Sequence, residues 1–189
     1  MILTISETTA QPASKITHAH AAADTISYAT GECALGQVLV ARSAKGVCAI
    51  LIGADRCELG ADFACRFPSS TLVANEPIVR EDLAKVIRFV DRPVENLGLP
   101  LDMRGTPFQR RVWEKLRAIP IGRTVTYGDV AHWVGGPLAS APAVAQACAA
   151  NPIALAVPCH RVVRSNGDLG GYRWGVERKR ELIIREALT

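Results

Sequence analysis

Apolar positions along this 189-residue chain change their spacing about halfway. Residues 1–23 mix Thr, Ala, Ser and His around Lys15 with no period, which predicts a flexible lead-in. Short apolar runs follow at 25–29, 36–41 and 47–52, each closed by turn residues. Arg42-Ser43-Ala44-Lys45-Gly46, between the last two, suits a hairpin loop. These runs predict three strands of a small antiparallel sheet. Over 81–90, Leu83, Val86, Ile87 and Val90 recur at helical spacing, and the acidic start suits a helix N-terminus. Residues 93–100, bounded by prolines, read as a linker.

The second half has a helical period. Thr106-Pro107-Phe108 has the form of an N-cap followed by proline at the first helical position, with the helix running through Val112, Trp113 and Leu116 to about Ala118. Pro120 and Gly122 end it. Thr126 is placed to cap a short helix from Tyr127 to Trp133, and Gly135-Gly136-Pro137 breaks that helix. An alanine-rich segment, 140–150, makes another. A short helix, a glycine turn and a second helix outline a helix-turn-helix. A last helix is expected over 175–187. The implied domains are 24–98, a structural α/β unit, and 99–189, a mainly helical unit.

Composition narrows the class. Apolar residues make up 49% and charged residues 21%, the balance of a globular chain able to build its own core. No apolar run approaches a membrane span, and the N-terminus lacks the basic start and apolar stretch of an export signal. The default expectation is a cytoplasmic protein, without membrane contact, whose thiols stay reduced. From Leu99 onward there are 13 Lys+Arg against 7 Asp+Glu; before it, 9 against 11. A basic second half suits a polyanion, and equally suits an ordinary solvated surface. The six cysteines show no zinc-knuckle spacing and the four histidines no matching pair, so no metal or cofactor is implied. Most of these cysteines read as small core hydrophobes.

Cys159 is different. It lies in Asn151-Pro152-Ile153-Ala154-Leu155-Ala156-Val157-Pro158-Cys159-His160-Arg161-Val162-Val163. Pro158 fixes the backbone leading into it. The adjacent His160 imidazole could accept the thiol proton directly or through water, and the thiolate is the reactive form. An isolated Cys-His pair is more often an inert buried thiol beside a chance histidine. Here the surroundings are not isolated. Pro158-Cys159-His160-Arg161-Val162-Val163 resembles the active-site signature of the O6-alkylguanine-DNA alkyltransferases. Gly105-Thr106-Pro107-Phe108-Gln109, Val112-Trp113, Ile119-Pro120, Gly122, Val125-Thr126-Tyr127, Asn151-Pro152, Gly167, Gly171-Tyr172-Arg173-Trp174-Gly175 and Glu186 also fall where that family has them. The likeness is strongest to the C-terminal half of bacterial Ada, and it covers roughly 25–187.

The resemblance implies an α+β fold: a small N-terminal α/β domain with an antiparallel sheet, RNase H-like, then a mainly helical domain with a helix-turn-helix. It implies direct-reversal repair, in which an alkyl group passes irreversibly from O6 of guanine, and from O4 of thymine, to Cys159. Each molecule would act once, without a cofactor. By the same resemblance His160 would deprotonate Cys159 through a water, Glu186 would hold the imidazole, and Asn151 would brace the turn. Tyr127 would help rotate the nucleotide and neutralise the departing guanine. The backbone carbonyls of Cys159 and Val162 would read the guanine edge, with Pro158, Tyr172 and Arg173 as further substrate contacts. The partner would be alkylated double-stranded DNA, bound through its minor groove by a monomeric bacterial protein with the guanine flipped out. Thr126, Tyr127, Pro142, Ala143 and Arg161 would contact it.

One departure stands out. The family carries an arginine on the second helix of its helix-turn-helix that fills the gap left by the flipped base; the aligned residue here is Pro142. Between Pro137 and Asn151 the chain has one extra residue and no Lys or Arg. Pro142 either sits in the first turn or pushes the helix start to about Ala143. The pattern predicts weak DNA binding, or extrusion aided by an apolar side chain such as Leu138. Residues 24–98 suggest no chemistry of their own, and the four-cysteine zinc pattern of the Ada N-terminal domain does not occur. The sequence fits a stand-alone protein, a piece of a longer one, or one partner of a split system. Two other readings compete: a non-catalytic sensor of alkylation damage or regulatory DNA-binding protein, and an unrelated Cys-His hydrolase.

Overall fold

The computed structural model describes residues 24–94, 96–137 and 140–188; the expected lead-in over 1–23, and Leu138, lie outside them. The three expected strands form as β1 (Thr25–Cys33), β2 (Gly36–Ser43) and β3 (Gly46–Gly53), paired antiparallel in sequence order. A fourth strand not foreseen in the sequence, β4 (Thr71–Ala74), adds to β1 in parallel, so the order is β3-β2-β1-β4 and the sheet is mixed rather than antiparallel. A parallel neighbour needs a crossover, and helix α1 (Arg56–Arg66) supplies it. Asp55 caps that helix by accepting from the Glu58 N–H at 2.8 Å.

Helix α2 (Glu76–Asp91) begins five residues before the acidic start read from the sequence, with Pro77 tolerated in its first turn. Strand pleating sorts the two helices. Tyr28 meets Phe63 of α1 ring to ring at 5.2 Å, while a Cβ on Gly31 would come within 2.9 Å of Ile87 of α2. Positions three apart on a strand face opposite ways, so α1 and α2 cover opposite faces of the sheet. Covered on both sides, β3 is buried at every position. An ion pair between Arg42 on β2 and the buried Asp82 on α2, at 2.6 Å, ties the α2 layer to the sheet.

The rest of the chain packs beside the edge of β3. The stretch expected as a linker is anchored at its far end: Leu99 is buried, the Pro100 carbonyl accepts from the Val47 N–H at 2.8 Å, and the Asp102 N–H donates back to Val47. Farther along β3, Ile50 donates to the Pro152 carbonyl and accepts from the Ala154 N–H, both at 2.9 Å. The edge strand is thereby covered by two other segments of the same chain.

Helix α3 (Pro107–Arg117) starts on the expected Thr106 cap, completed as a reciprocal box by Gln109. A two-residue strand β5 (Val125–Thr126) leads into α4 (Tyr127–Trp133), where Thr126 and Asp129 form a second capping box. Helix α5 (Ala141–Ala149) follows the glycine turn, with Pro142 in its first turn, so the proline does not displace the helix start. The buried Trp113 indole of α3 donates to the Ala147 carbonyl of α5 at 2.8 Å. A single 3-10 turn over Cys159–Arg161 runs into strand β6 (Val162–Val163), which pairs in parallel with β5. Helix α6 (Val176–Ala187) closes the chain. No helix among the described residues is long and apolar enough to cross a membrane.

Candidate active site

Two local devices present Cys159. Residues 151–158 fold as a tight loop in which Leu155 takes a left-handed backbone conformation, φ 67°, a strained choice for a residue with a side chain. Asn151, fully buried, holds the loop from within. Its Oδ1 accepts from the Ile153 N–H at 2.9 Å, and its Nδ2 donates to the Val157 carbonyl at 2.9 Å and to Cys159 Sγ at 3.3 Å. Since β3 grips residues 152 and 154 from outside, the position of Cys159 is set by the backbone of the sheet.

The thiol is 4% exposed. Burial pushes its pKa up; the hydrogen bond from Asn151 and the Lys179 charge pull the other way without cancelling it. The adjacent His160 is fully buried, and burial pushes it down despite the Glu186 carboxylate. At rest the pair is therefore thiol beside neutral imidazole. His160 Nε2 lies 2.8 Å from Glu186 Oε1. A carboxylate there requires the proton on Nε2, which leaves the lone pair on Nδ1. Among the described residues that buried Nδ1 has no hydrogen-bond partner, and Cys159 Sγ makes no direct hydrogen bond to the ring.

Glu186 is the hub. Besides His160, its two oxygens accept from Arg161 Nε at 2.8 Å and Nη2 at 2.9 Å, while Arg161 Nη1 donates to the Ile119 carbonyl at 2.5 Å. Burial alone would raise the carboxyl, but the bonds from His160 and Arg161 outweigh it and bring its pKa down to about 2. Arg161 was expected at the DNA. Instead it is 1% exposed and spent on Glu186, so in this structure it faces no phosphate. The one-turn helix over Cys159–Arg161 directs it into the core beneath His160.

Lys179 is a member of the site that sequence reasoning missed. It is fully buried on α6, seven residues before Glu186 and so on the same helix face. Its Nζ donates to the Val162 carbonyl at 2.6 Å and to the Leu169 carbonyl, and lies 5.9 Å from the centre of the Tyr127 ring. The Val162 carbonyl thus has one lone pair engaged and a second available. The signal was present: two charged residues on the stripe that Leu182 marks as apolar.

Tyr127 comes close to this group because β5 runs beside β6, putting the first residue of α4 next to Val162 and Val163. Burial pushes its phenol up to about 12, so it remains a protonated donor at neutral pH. A cavity of about 510 Å³ opens here, lined by Thr126, Tyr127 and Gly128, by Ala141 of α5, and by Arg164, Ser165 and Asn166 beyond β6. Pro142 and Ala143 are exposed on the adjacent first turn of α5. Pro158 is buried, against a separate cavity of about 350 Å³. Tyr172 packs edge-on against Trp174, ring centres 5.2 Å apart. Arg173 reaches across to the first half of the chain, pairing with Asp62 of α1 at 2.5 Å. Of the other cysteines, Cys48 and Cys148 are buried as expected, but Cys57 and Cys65 lie exposed on α1, where no core receives them.

A family model described as the DNA-binding domain of 6-O-methylguanine DNA methyltransferase matches residues 107–188. The bifunctional transcriptional activator/DNA repair enzyme Ada of Escherichia coli K12 is 46% identical over 162 residues, covering 86% of this chain and 46% of that protein. The inducible methylated-DNA–protein-cysteine methyltransferase of Bacillus subtilis is 39% identical over 121 residues, covering 64% of this chain and 67% of its own. The crystal structure of Mycobacterium tuberculosis OGT in complex with DNA superposes with a TM-score of 0.72 at 30% identity, covering 86% of this chain and 93% of that one. The chain spans about half the length of the first curated relatives it matches.

Proposed function

Because the chain belongs to the 6-O-methylguanine DNA methyltransferase family, we propose that it repairs alkylated DNA by direct reversal. In this reading it transfers a methyl or larger alkyl group from O6 of guanine, and from O4 of thymine, to its own Cys159. The observation that carries this is the buried chain His160, Glu186, Arg161 that follows directly on the buried Cys159, with Tyr127 and its cavity nearby. Removing the thiol proton gives a thiolate that attacks the alkyl carbon in line as the carbon–O6 bond breaks. The products are a thioether and guanine. His160 Nδ1, without a hydrogen-bond partner among the described residues, takes the proton through a water, and Glu186 holds the imidazole in the required tautomer. Asn151 keeps Sγ aimed. Tyr127 donates toward the departing base. The Cys159 and Val162 carbonyls read the guanine edge, and Pro158, Tyr172 and Arg173 shape the site. A thioether is not displaced by water, so each molecule acts once.

The target atom lies inside the duplex, so the nucleotide has to leave the stack, at a cost on the order of a few kcal/mol. We assign α4 and α5 to a helix-turn-helix that meets the minor groove through Thr126, Tyr127, Pro142 and Ala143. Residues 24–98 act as the support to which the acceptor loop is fastened, and 99–189 as the reacting domain. One monomer suffices for one lesion. A sensor without chemistry would have no use for a buried thiol beside a histidine whose tautomer a carboxylate fixes.

The test is incubation of the full chain with duplex DNA containing O6-methylguanine, followed by intact mass and peptide mapping. One added methyl on Cys159, with the duplex restored to guanine, is expected. Repeated turnover, or an unmodified Cys159 alongside DNA that has lost its methyl group, refutes it.

A further inference from the structure

The helix expected to meet DNA, α5, carries no cation. No Lys or Arg occurs between Pro137 and Ala150, and α5 offers Pro142 and Ala143 to solvent. Phosphates are met by charged or N–H donors, and a neutral, alanine-rich helix supplies few. Among the residues lining the Tyr127 cavity, Arg164 is the one with a full charge, and none is acidic.

Arg164 is also held ready. Its backbone is fixed by the loop it starts: its N–H donates to the Asp168 carbonyl at 2.8 Å and its carbonyl accepts from the Gly167 N–H at 3.0 Å. Gly170 lets the side chain pass close to the phenol. A Cβ at that glycine would lie 3.6 Å from Arg164 Cγ and 3.3 Å from the Tyr127 hydroxyl oxygen. The nearby Asp168 carboxylate is taken by Asn166 Nδ2 at 2.7 Å. Among the described residues the Arg164 guanidinium makes no ion pair and no hydrogen bond, and the residue is exposed. Its charge reaches Tyr127 all the same, opposing the upward push of burial on that phenol. An unpaired guanidinium at the rim of a neutral cavity is a ready-made bidentate partner for a phosphate.

We propose that Arg164 is the phosphate-gripping cation of the DNA site, holding the backbone of the nucleotide that enters the Tyr127 cavity and so supplying the charge that α5 lacks. This rests on the alkyltransferase reading above and adds the residue by which the flipped nucleotide is held.

The experiment compares the full-length parent with Arg164→Ala and Arg164→Lys. Binding to a duplex carrying O6-methylguanine is titrated at several salt concentrations, and labelling of Cys159 by free O6-benzylguanine, which has no phosphate, is followed by mass. For Arg164→Ala the expected loss of duplex affinity is about tenfold larger than any change in free-base labelling. The slope of log affinity against log salt should flatten by about 0.9, the contribution of one phosphate contact. Arg164→Lys should restore the slope and part of the affinity. Equal losses on duplex and free base, or an unchanged slope, overturn the proposal while leaving the repair function standing. A parent that labels with the free base but does not bind duplex overturns the proposal and the duplex-binding part of the repair reading, leaving the acceptor chemistry of Cys159 standing. A parent inert toward both overturns the repair reading and this inference with it.

Discussion

Replacing Arg161 with methionine tests whether the Glu186 hub is a coupled buried unit. The substitution keeps an unbranched apolar stem and removes the two donors that face Glu186 at 2.8 and 2.9 Å. With charge centres about 4 Å apart, the pair is worth about 4 kcal/mol at an effective dielectric of about 20. What remains after the change is a carboxylate 3% exposed with its counter-charge gone. Breaking one side of such a pair costs about 3–5 kcal/mol, and the Ile119 carbonyl loses its donor at about 1 kcal/mol more. Urea unfolding should therefore show a loss of at least about 3 kcal/mol, and in a chain of this size the melting midpoint should drop by roughly 10 °C. Glu186→Gln should do comparable damage by leaving Arg161 buried and unpaired. The double variant should cost less than the two singles together by at least about 2 kcal/mol, because neither charge is then stranded. If Arg161→Met costs under about 1 kcal/mol, or the two losses simply add, then Glu186 does not depend on Arg161 and the coupled unit does not exist.

Acid should weaken the fold in two stages. Burial depresses His160, so below its ordinary value of 6.5 the unfolded chain takes a proton that the folded chain resists, and stability declines from there. Glu186 adds a second decline: its contribution is complete above the unfolded value of 4.5 and is lost as pH falls through about 2. Melting midpoints followed from pH 8 to 3 should fall throughout the lower half of that range, and a midpoint flat between pH 6.5 and 3 would contradict both assignments. Asn151→Ala strands the Ile153 N–H and the Val157 carbonyl in the core, so it should cost about 2–4 kcal/mol in urea unfolding and slow benzylguanine labelling. Asn151→Asp should leave the loop nearer intact but set a carboxylate against Sγ. Its labelling rate should then need higher pH than the parent's, and an unshifted rate–pH profile would show that Asn151 does not govern the thiol.

Legibility of the sequence followed how much local physics each segment carries. Thr106 and Thr126 were readable because a capping box is a local hydrogen-bond pattern, and both boxes form. The strands β1 to β3 were readable from apolar runs. Helix α1 was not, because it buries only Leu59 and Phe63 and carries Gly60 between them, a stripe too thin to register as a period. Strand β4 is four residues long and mostly exposed, and only its pairing to β1 makes it a strand. The end of the proline-bounded stretch looked like a linker because Pro100 is held by a bond to Val47, about fifty residues away. Within the site, Cys159, His160, Glu186 and Asn151 were singled out by resemblance, and the chain brings them together. Arg161 was assigned to the wrong side because a sequence cannot say which way a side chain leaves a one-turn helix. Lys179 was legible in principle, as a charge on an apolar face, and went unread.

If Cys159 takes up an alkyl group as proposed, the seam along β3 ties the exposure of an apolar strand edge to the state of the acceptor loop. A bare sheet edge invites pairing with other chains, and β3 is apolar and buried along its whole length. What closes that edge is the backbone at Pro100 and, farther along, the Pro152 and Ala154 bonds to Ile50, a few residues from Cys159. Any group added to the sulfur that swells the loop and lifts residues 152–154 away exposes half of an apolar strand. A used molecule of this design would carry a sticky edge that an unused one hides, and the same bonds that aim the thiol would keep the protein from associating with its own copies.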